Sequence, residues 1–239
     1  MVTEMMMERY LRALLEGDRA RCRAVVEEIL QSGTPANQVY ADLIWPIMIE
    51  IEKLVRADRI NSAQESMATR INRTIVDQLQ NKLPRKTCRE KTIVIVSAPR
   101  ESSELGAQMT ADLFESDGWN VRFLGGGVNN DDILAFVHNE RPQVLLIYGT
   151  EPRCAPDVRH LIDTIRSVNA FPLMQIMLSG GVFNRADGLW QEIGADLFAA
   201  TAAEAVHVAS GDADTEIVKP KRMINRRKKR RQEPQITTE

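Results

Sequence analysis

The stretch Lys91–Gly125, KTIVIVSAPRESSELGAQMTADLFESDGWNVRFLG, decides the fold. It opens on an apolar, β-branched run (Thr92–Ser97), crosses a polar loop, continues as a helix-length segment (Ser103–Ser116), and returns to an apolar run at Asn120–Leu124. Short apolar runs separated by a helical stretch make a βαβ unit, the building block of a parallel sheet. The pattern repeats downstream. Apolar runs at Val144–Ile147, Gln175–Ser179 and Asp196–Ala199 alternate with helical stretches at Asp131–Asn139, Pro156–Ser167 and Leu189–Ile193. Such crossovers are right-handed, and ligands lie beyond the carboxyl ends of the strands at the switch point of strand order. The loops that matter are therefore Ala98–Glu104, Gly125–Asn130, Tyr148–Pro156 and Gly180–Arg185.

Upstream of Lys91 the period is helical. Tyr10, Leu11, Leu14 and Leu15 share a face, Gly17-Asp18 breaks the run, and Cys22, Val25, Val26, Ile29 and Leu30 form a second face. A third helix starts after Thr34-Pro35, with Pro46 expected to kink or break it. A fourth runs from Ser62, read as its N-cap with Glu65 three residues on, to Leu83. The chain thus divides into a helical bundle over residues 1–83, a polar linker over 84–90, a sheet domain over 91–210 and a tail over 211–239 that reads as disordered. The class is α/β: an N-terminal all-α bundle, then a flavodoxin-like parallel five-stranded sheet with helices on both faces.

Composition is that of a globular protein, 44% apolar and 27% charged. Cys22, Cys88 and Cys154 have no metal or disulfide spacing, and no apolar run approaches the roughly 20 residues of a membrane span, so the expectation is a cytoplasmic protein without a membrane partner. No nucleophile–base pair, metal cluster or phosphate loop is visible, which points away from an enzyme. Trp45, Trp119 and Trp190 read as packing residues in the core or at the domain seam, and Cys154, the one plausible soft ligand near the sheet's ligand end, as a structural or merely exposed thiol.

Three phrases carry a resemblance: YLRALLEGDRARCRAVVEEIL (Tyr10–Leu30), ELGAQMTADLFESDGWNVRFLG (Glu104–Gly125) and SGGVFNRADGLWQEIGADLFA (Ser179–Ala199). Over about Tyr10 to Ser210 the chain resembles the cobalamin-binding proteins with a helical cap, of the methionine-synthase type and closest to the light-sensing cobalamin-dependent repressors. The resemblance implies a ligand site between cap and sheet. In that family the first loop of the sheet domain carries D/E-x-H-x-x-G, whose His ligates cobalt from below in place of the cofactor's own base. The same loop here has Glu101 and Gly106 but Ser103 in the place of the ligand, and a neutral hydroxyl is a poor donor to a transition metal. The family's cap motif W-x9-E-H, which covers the upper face of the cofactor, aligns with Val55, Glu65 and Ser66. Its S-x-L/T motif, which lines the tunnel for the base, becomes Tyr148-Gly149-Thr150, and its paired glycines persist as Gly180-Gly181, with Gly125 at the end of the second strand.

What the resemblance implies for function is a non-catalytic sensory or regulatory protein that lacks the lower cobalt ligand and acts in transcriptional or signalling control. The alternative is a genuine binder of cobalamin, or of another tetrapyrrole or small ligand, that holds it without a protein His. A corrinoid methyl-transfer shuttle is a third reading, opposed by Ser103. A second copy of the chain is a further candidate partner.

The charge distribution adds a partner. Lys219, Lys221, Arg222, Arg226, Arg227, Lys228, Lys229, Arg230 and Arg231 place nine cations in the tail with no acid among them, so the net charge of −2 leaves −11 for the remainder. No helix-turn-helix is expected, and this tail is the candidate for nucleic acid or for an acidic protein. With about five phosphates neutralised, log K for duplex DNA is expected to fall against log salt with a slope of about −4 to −5. Gel retardation across a salt series checks this, and truncation after Ser210 is expected to abolish binding at unchanged thermal stability. Full-length protein that fails to retard DNA even at low salt would assign the tail to an acidic surface instead.

Overall fold

The structure, a computed structural model, describes residues 2–98, 104–168 and 171–211. Helix α1 (Glu4–Glu16) is capped by Thr3 and ended by left-handed Gly17, after which Asp18 caps α2 (Arg19–Gln31). Helix α3 (Ala36–Val39) runs through a π-helical turn (Tyr40–Ile44) into α4 (Trp45–Arg56) without leaving helical backbone. Of the kink or break expected at Pro46, the break does not occur, and the irregularity there is the π-helical turn. Proline removes one amide and crowds the carbonyl four residues back, and the π turn just before it, closed by Trp45 N–H on Tyr40 O, absorbs that mismatch. Helix α5 (Ser62–Gln80) is capped by Asn61, whose side chain and that of Gln64 close a reciprocal capping box. The cap lies one residue before the expected Ser62, and the helix ends at Gln80 rather than Leu83.

The sheet has five parallel strands, β1 (Thr92–Ser97), β2 (Asn120–Gly125), β3 (Val144–Tyr148), β4 (Gln175–Ser179) and β5 (Leu197–Ala199), in the order β2-β1-β3-β4-β5. This is the flavodoxin-like order, with its switch point between β1 and β3. Helices α6 (Leu105–Ser116), α7 (Asn130–Glu140), α8 (Ala155–Val168) and α10 (Leu189–Ile193) occupy the expected crossovers. Two more, α9 (Gly181–Arg185) and α11 (Ala202–Ser210), were not expected from the sequence. Helix α11 buries only alanines, so its inner face carries too weak an apolar signal to be read.

Strand alternation sorts the core. Ile93, Ile95, Leu146 and Tyr148 point to the face covered by α6 and α11, and this core runs on without interruption into the helical bundle. Val94, Val96, Leu145 and Ile147 point the other way, against α7 and α8. The linker is tied down as well. Lys86 N–H donates to Ser116 O and Arg89 N–H to Gly118 O, both at 2.8 Å, while Lys86 and Arg89 both pair with Asp117. Burial pushes the Asp117 carboxyl up, but hydrogen bonds from Lys86 and Ser210 and the nearby cations outweigh it and hold it below its usual value.

A buried Tyr–Asp contact fastens bundle to sheet. The Tyr40 hydroxyl stands 3.0 Å from Val76 O on α5 and 2.9 Å from Asp112 Oδ2 on α6. A phenol has one hydrogen, which Tyr40 shares between the two acceptors. Burial, reinforced by the charges of Glu115 and Asp77 and only partly offset by Tyr40, raises the Asp112 carboxyl to about 6. Since the folded value lies above the unfolded one, this site contributes its full stability below about pH 4 and loses it as pH rises to about 6. Asp112→Asn, which keeps an acceptor for Tyr40 and cannot ionise, is expected to raise unfolding free energy at pH 7.5 by roughly 1–3 kcal/mol and to change it much less at pH 4.5. Urea unfolding at the two pH values checks this, and an equal effect at both would contradict it.

Candidate functional site

The carboxyl ends of β1, β3 and β4 bring Ser97, Tyr148 and Ser179 into one row, since the three are ladder partners and so share a face of the sheet. That face is the one under α6. Tyr148 is buried, and the hydroxyl end of its ring abuts Gly106 at the start of α6. A Cβ at position 106 would stand 2.0 Å from the Tyr148 hydroxyl oxygen and 2.4 Å from the ring carbon that bears it. Only glycine fits there. On either side the Ser97 and Ser179 hydroxyls are buried with no hydrogen-bond partner among the described residues.

Gly180, with φ 108°, lets the loop after β4 touch the loop after β3, because a Cβ there would lie 2.2 Å from Gly149 O. Gly181 then faces the bundle, where Arg185 of α9 pairs with Glu52 of α4 and donates to Thr150 O at 2.6 Å. Gly125, also at positive φ, sits beside Glu104, which accepts from Gly126 N–H at 2.7 Å and pairs with Arg73 of α5 at 3.4 Å. Two ion pairs thus clamp the bundle over the ends of the strands.

Between them lies a cleft with a cavity volume of about 110 Å³. The bundle lines it with Trp45, Met48, Glu52, Glu65 and Asn72, and the sheet domain with Leu105, Tyr148, Thr150, Gly181 and Asn184. Of the residues singled out in the sequence, Glu65, Tyr148, Thr150 and Gly181 meet here, with Gly106 and Gly180 directly behind them. Val55 and Ser66 do not line it: Val55 packs against the bundle core, and Ser66 lies one helical step past Glu65 and is exposed. Gly125 supports the clamp beside the cleft. Glu101, Ser103 and the tail from Lys219 to Arg231 lie outside the described residues.

Sequence reading missed the floor of the cleft. Asn72 is fully buried on α5 and accepts from the Tyr10 hydroxyl at 2.7 Å. A polar residue at an apolar position of a helix was the available signal. Trp45, read as a packing residue at the seam, is buried there. Trp119 packs edge-on against Phe114, and Trp190 stacks on Phe198. Cys154 is buried in the core on the opposite side of the sheet from Tyr148. Among the described residues no group of three His, Cys, Asp or Glu side chains stands together, and no helix is long and apolar enough to cross a membrane.

Comparisons with known proteins bear on both halves of the chain. Residues 6–80 match one family profile described as a B12 binding domain, and residues 91–210 match a second with the same description. Among solved structures, the monomethylamine corrinoid protein of Methanosarcina barkeri superposes with a TM-score of 0.79 at 20% identity, over 89% of this chain and 100% of that one. A cobalamin-binding protein from Desulfitobacterium hafniense DCB-2 matches at 18% identity over 87% and 98% of the two chains, with a TM-score of 0.48. No curated protein sequence is significantly similar. With a helical module on a parallel sheet of this order, and a matching profile for each, the chain belongs to the B12-binding domain family.

Proposed function

We propose that this protein is a non-catalytic sensory or regulatory member of the B12-binding family, whose cleft responds to a ligand other than a cobalamin with its nucleotide tail threaded into the sheet domain. The observation that supports the reading is the Tyr148 ring packed on Gly106. The resemblance assigns that position to the tunnel for the cofactor's base. A phenol ring there leaves no room for a second aromatic base, so the residues present do not fit a tail-inserted cobalamin. The sequence agrees at the metal end, where Ser103 replaces the ligating His. Ser97 and Ser179 remain as polar walls around the ring, and the ring has taken the space between them.

The clamp that supports a regulatory role is made of contacts that a ligand can shift. Arg185–Glu52 and Arg73–Glu104 cross from bundle to sheet at the mouth of the cleft, and both are partly exposed. Exposed pairs of this kind are worth about 0–1 kcal/mol each. A modest differential affinity therefore suffices to remake these two pairs at the mouth of the cleft, while the apolar core shared by bundle and sheet stays closed behind them. A second reading keeps cobalamin itself, with its own base on cobalt and its tail outside the protein. Profile matches to both the helical and the sheet module favour it. A methyl-transfer shuttle needs control of the lower axial ligand, and Ser103 does not supply it.

Two results are expected. Ser103→His with Tyr148→Ser binds adenosylcobalamin far more tightly than wild type in calorimetry, by about two orders of magnitude or more, because the pair returns the metal donor and the tunnel space. Equal affinity would contradict the assignment of these two positions. Light, in the presence of adenosylcobalamin, leaves the oligomeric state of wild type unchanged on size exclusion, since Val55 and Ser66 do not line the cleft. A light-dependent shift would restore the photoreceptor reading.

A further inference from the structure

The sheet ends on β2, which pairs with β1 on one side and with no strand on the other among the described residues. Asn120 N–H donates to Lys91 O, toward β1, at 2.8 Å. By the alternation of a parallel ladder, the N–H and C=O groups of Val121 and Phe123 therefore face the open side. The Arg122 guanidinium reaches Val121 O there at 3.4 Å. An edge of this length is a template for another strand. Its side chains are apolar on the face covered by α6. Phe123 is 38% exposed, and with Val121, Trp119 and Ala111 it lines a groove of about 600 Å³ between β2 and α6.

Helix α11 brings the chain to the foot of this edge. The Ser210 hydroxyl donates to Asp117 Oδ2 at 3.0 Å and accepts from Trp119 Nε1 at 3.4 Å, so Gly211 follows directly on a residue held by the turn that leads into β2. The sequence continues Asp212-Ala213-Asp214-Thr215-Glu216-Ile217-Val218-Lys219-Pro220. Thr215, Ile217 and Val218 are β-branched, which suits a strand, and Pro220 closes it. Three residues past Gly211 span about 10 Å, and a neighbouring strand lies about 4.8 Å away, so Asp214 reaches a place beside Asn120. A parallel strand in that register sets Thr215 against Val121, Glu216 against Arg122, Ile217 against Phe123 and Val218 against Leu124. The pairs match in character. Ile217 covers the exposed ring and enters the groove, while Glu216 shares the opposite face with Arg122, which Glu140 of α7 holds there at 3.0 Å. The path from β5 through α11 to an edge beyond β2 crosses the same face, in the same direction, as β1–α6–β2, and so has the right-handed sense of parallel crossovers.

We propose that Asp214–Lys219 adds to the open edge of β2 as a sixth parallel strand of the same molecule, with Ile217 seated in the groove beside Phe123. The strand runs toward the carboxyl end of the sheet, so the basic stretch that starts at Lys219 begins beside Gly125, at the ligand end of the domain rather than at its foot. This edge lies apart from the cleft, and its pairing is independent of what the cleft holds. A single edge strand opens locally without unfolding the domain, so the pairing shows at the edge and not in the thermal midpoint.

The test is amide hydrogen exchange by NMR on ¹⁵N-labelled full-length protein, compared with Glu216→Pro. That variant lacks the N–H which Val121 O receives in this register and leaves residues 2–211 unchanged. The Val121 and Phe123 amides are expected to exchange about tenfold or more slowly in wild type than in Glu216→Pro, with the β1-facing Arg122 amide equal in both. The Ile217 methyl groups are expected to show nuclear Overhauser contact with the Phe123 ring. Equal exchange of Val121 and Phe123 in the two proteins overturns the inference, as does slow exchange without the Ile217–Phe123 contact. Protection that falls on dilution, with a dimer on size exclusion, gives the edge to a second copy of the chain and overturns it as well.

Discussion

One contact constrains the candidate site: the hydroxyl end of the Tyr148 ring abuts the bare backbone of Gly106, with the oxygen where a Cβ would otherwise stand. The contact couples the first helix of the sheet domain to the end of its central strand. It also decides what the space between sheet and α6 holds. Interiors are close-packed, so a ring placed there excludes any other group of comparable size until it moves. The row Ser97, Tyr148, Ser179 is polar at both ends and aromatic in the middle, with the two hydroxyls buried beside the ring.

The scaffold around that contact has kept what the family fold requires. The bundle and the cap-facing side of the sheet form a single apolar core, and the buried pair Tyr40 and Asp112 adds a directional link across it. The ion pairs at the mouth of the cleft are of a different kind, exposed and individually weak. Strength is thus concentrated at the back of the bundle and compliance at the front.

The strands were legible because buried parallel strands read as continuous apolar runs, and Thr92–Ser97 and Gln175–Ser179 have the bounds their sequences suggest. The π turn was not legible. Pro46 signalled a fault in the helix, but not that an extra residue in the preceding turn would heal it. The start of α5 was misplaced by one residue because Asn61 and Ser62 are both good caps and Gln64 and Glu65 are both suitable third-position partners. At the site, Tyr148 and the glycines declared themselves through the family pattern. Asn72 and Trp45 did not, since their roles depend on distant partners: Tyr10 is 62 residues from Asn72, and the sheet residues that close the cleft over Trp45 come from the other half of the chain.

Whether the Tyr148 ring keeps the nucleotide tail out of the sheet domain is most directly read from electron paramagnetic resonance of cob(II)alamin mixed with the full-length protein. The single unpaired electron of this form reports the lower axial ligand of cobalt through nitrogen superhyperfine splitting. The expected spectrum keeps the splitting of the cofactor's own base, identical to that of free cob(II)alamin or slightly shifted by binding with the tail outside. A spectrum without that splitting, on cofactor that stays with the protein through gel filtration, would mean that binding has taken the base off cobalt, as entry of the tail into the sheet domain requires, and would contradict the account.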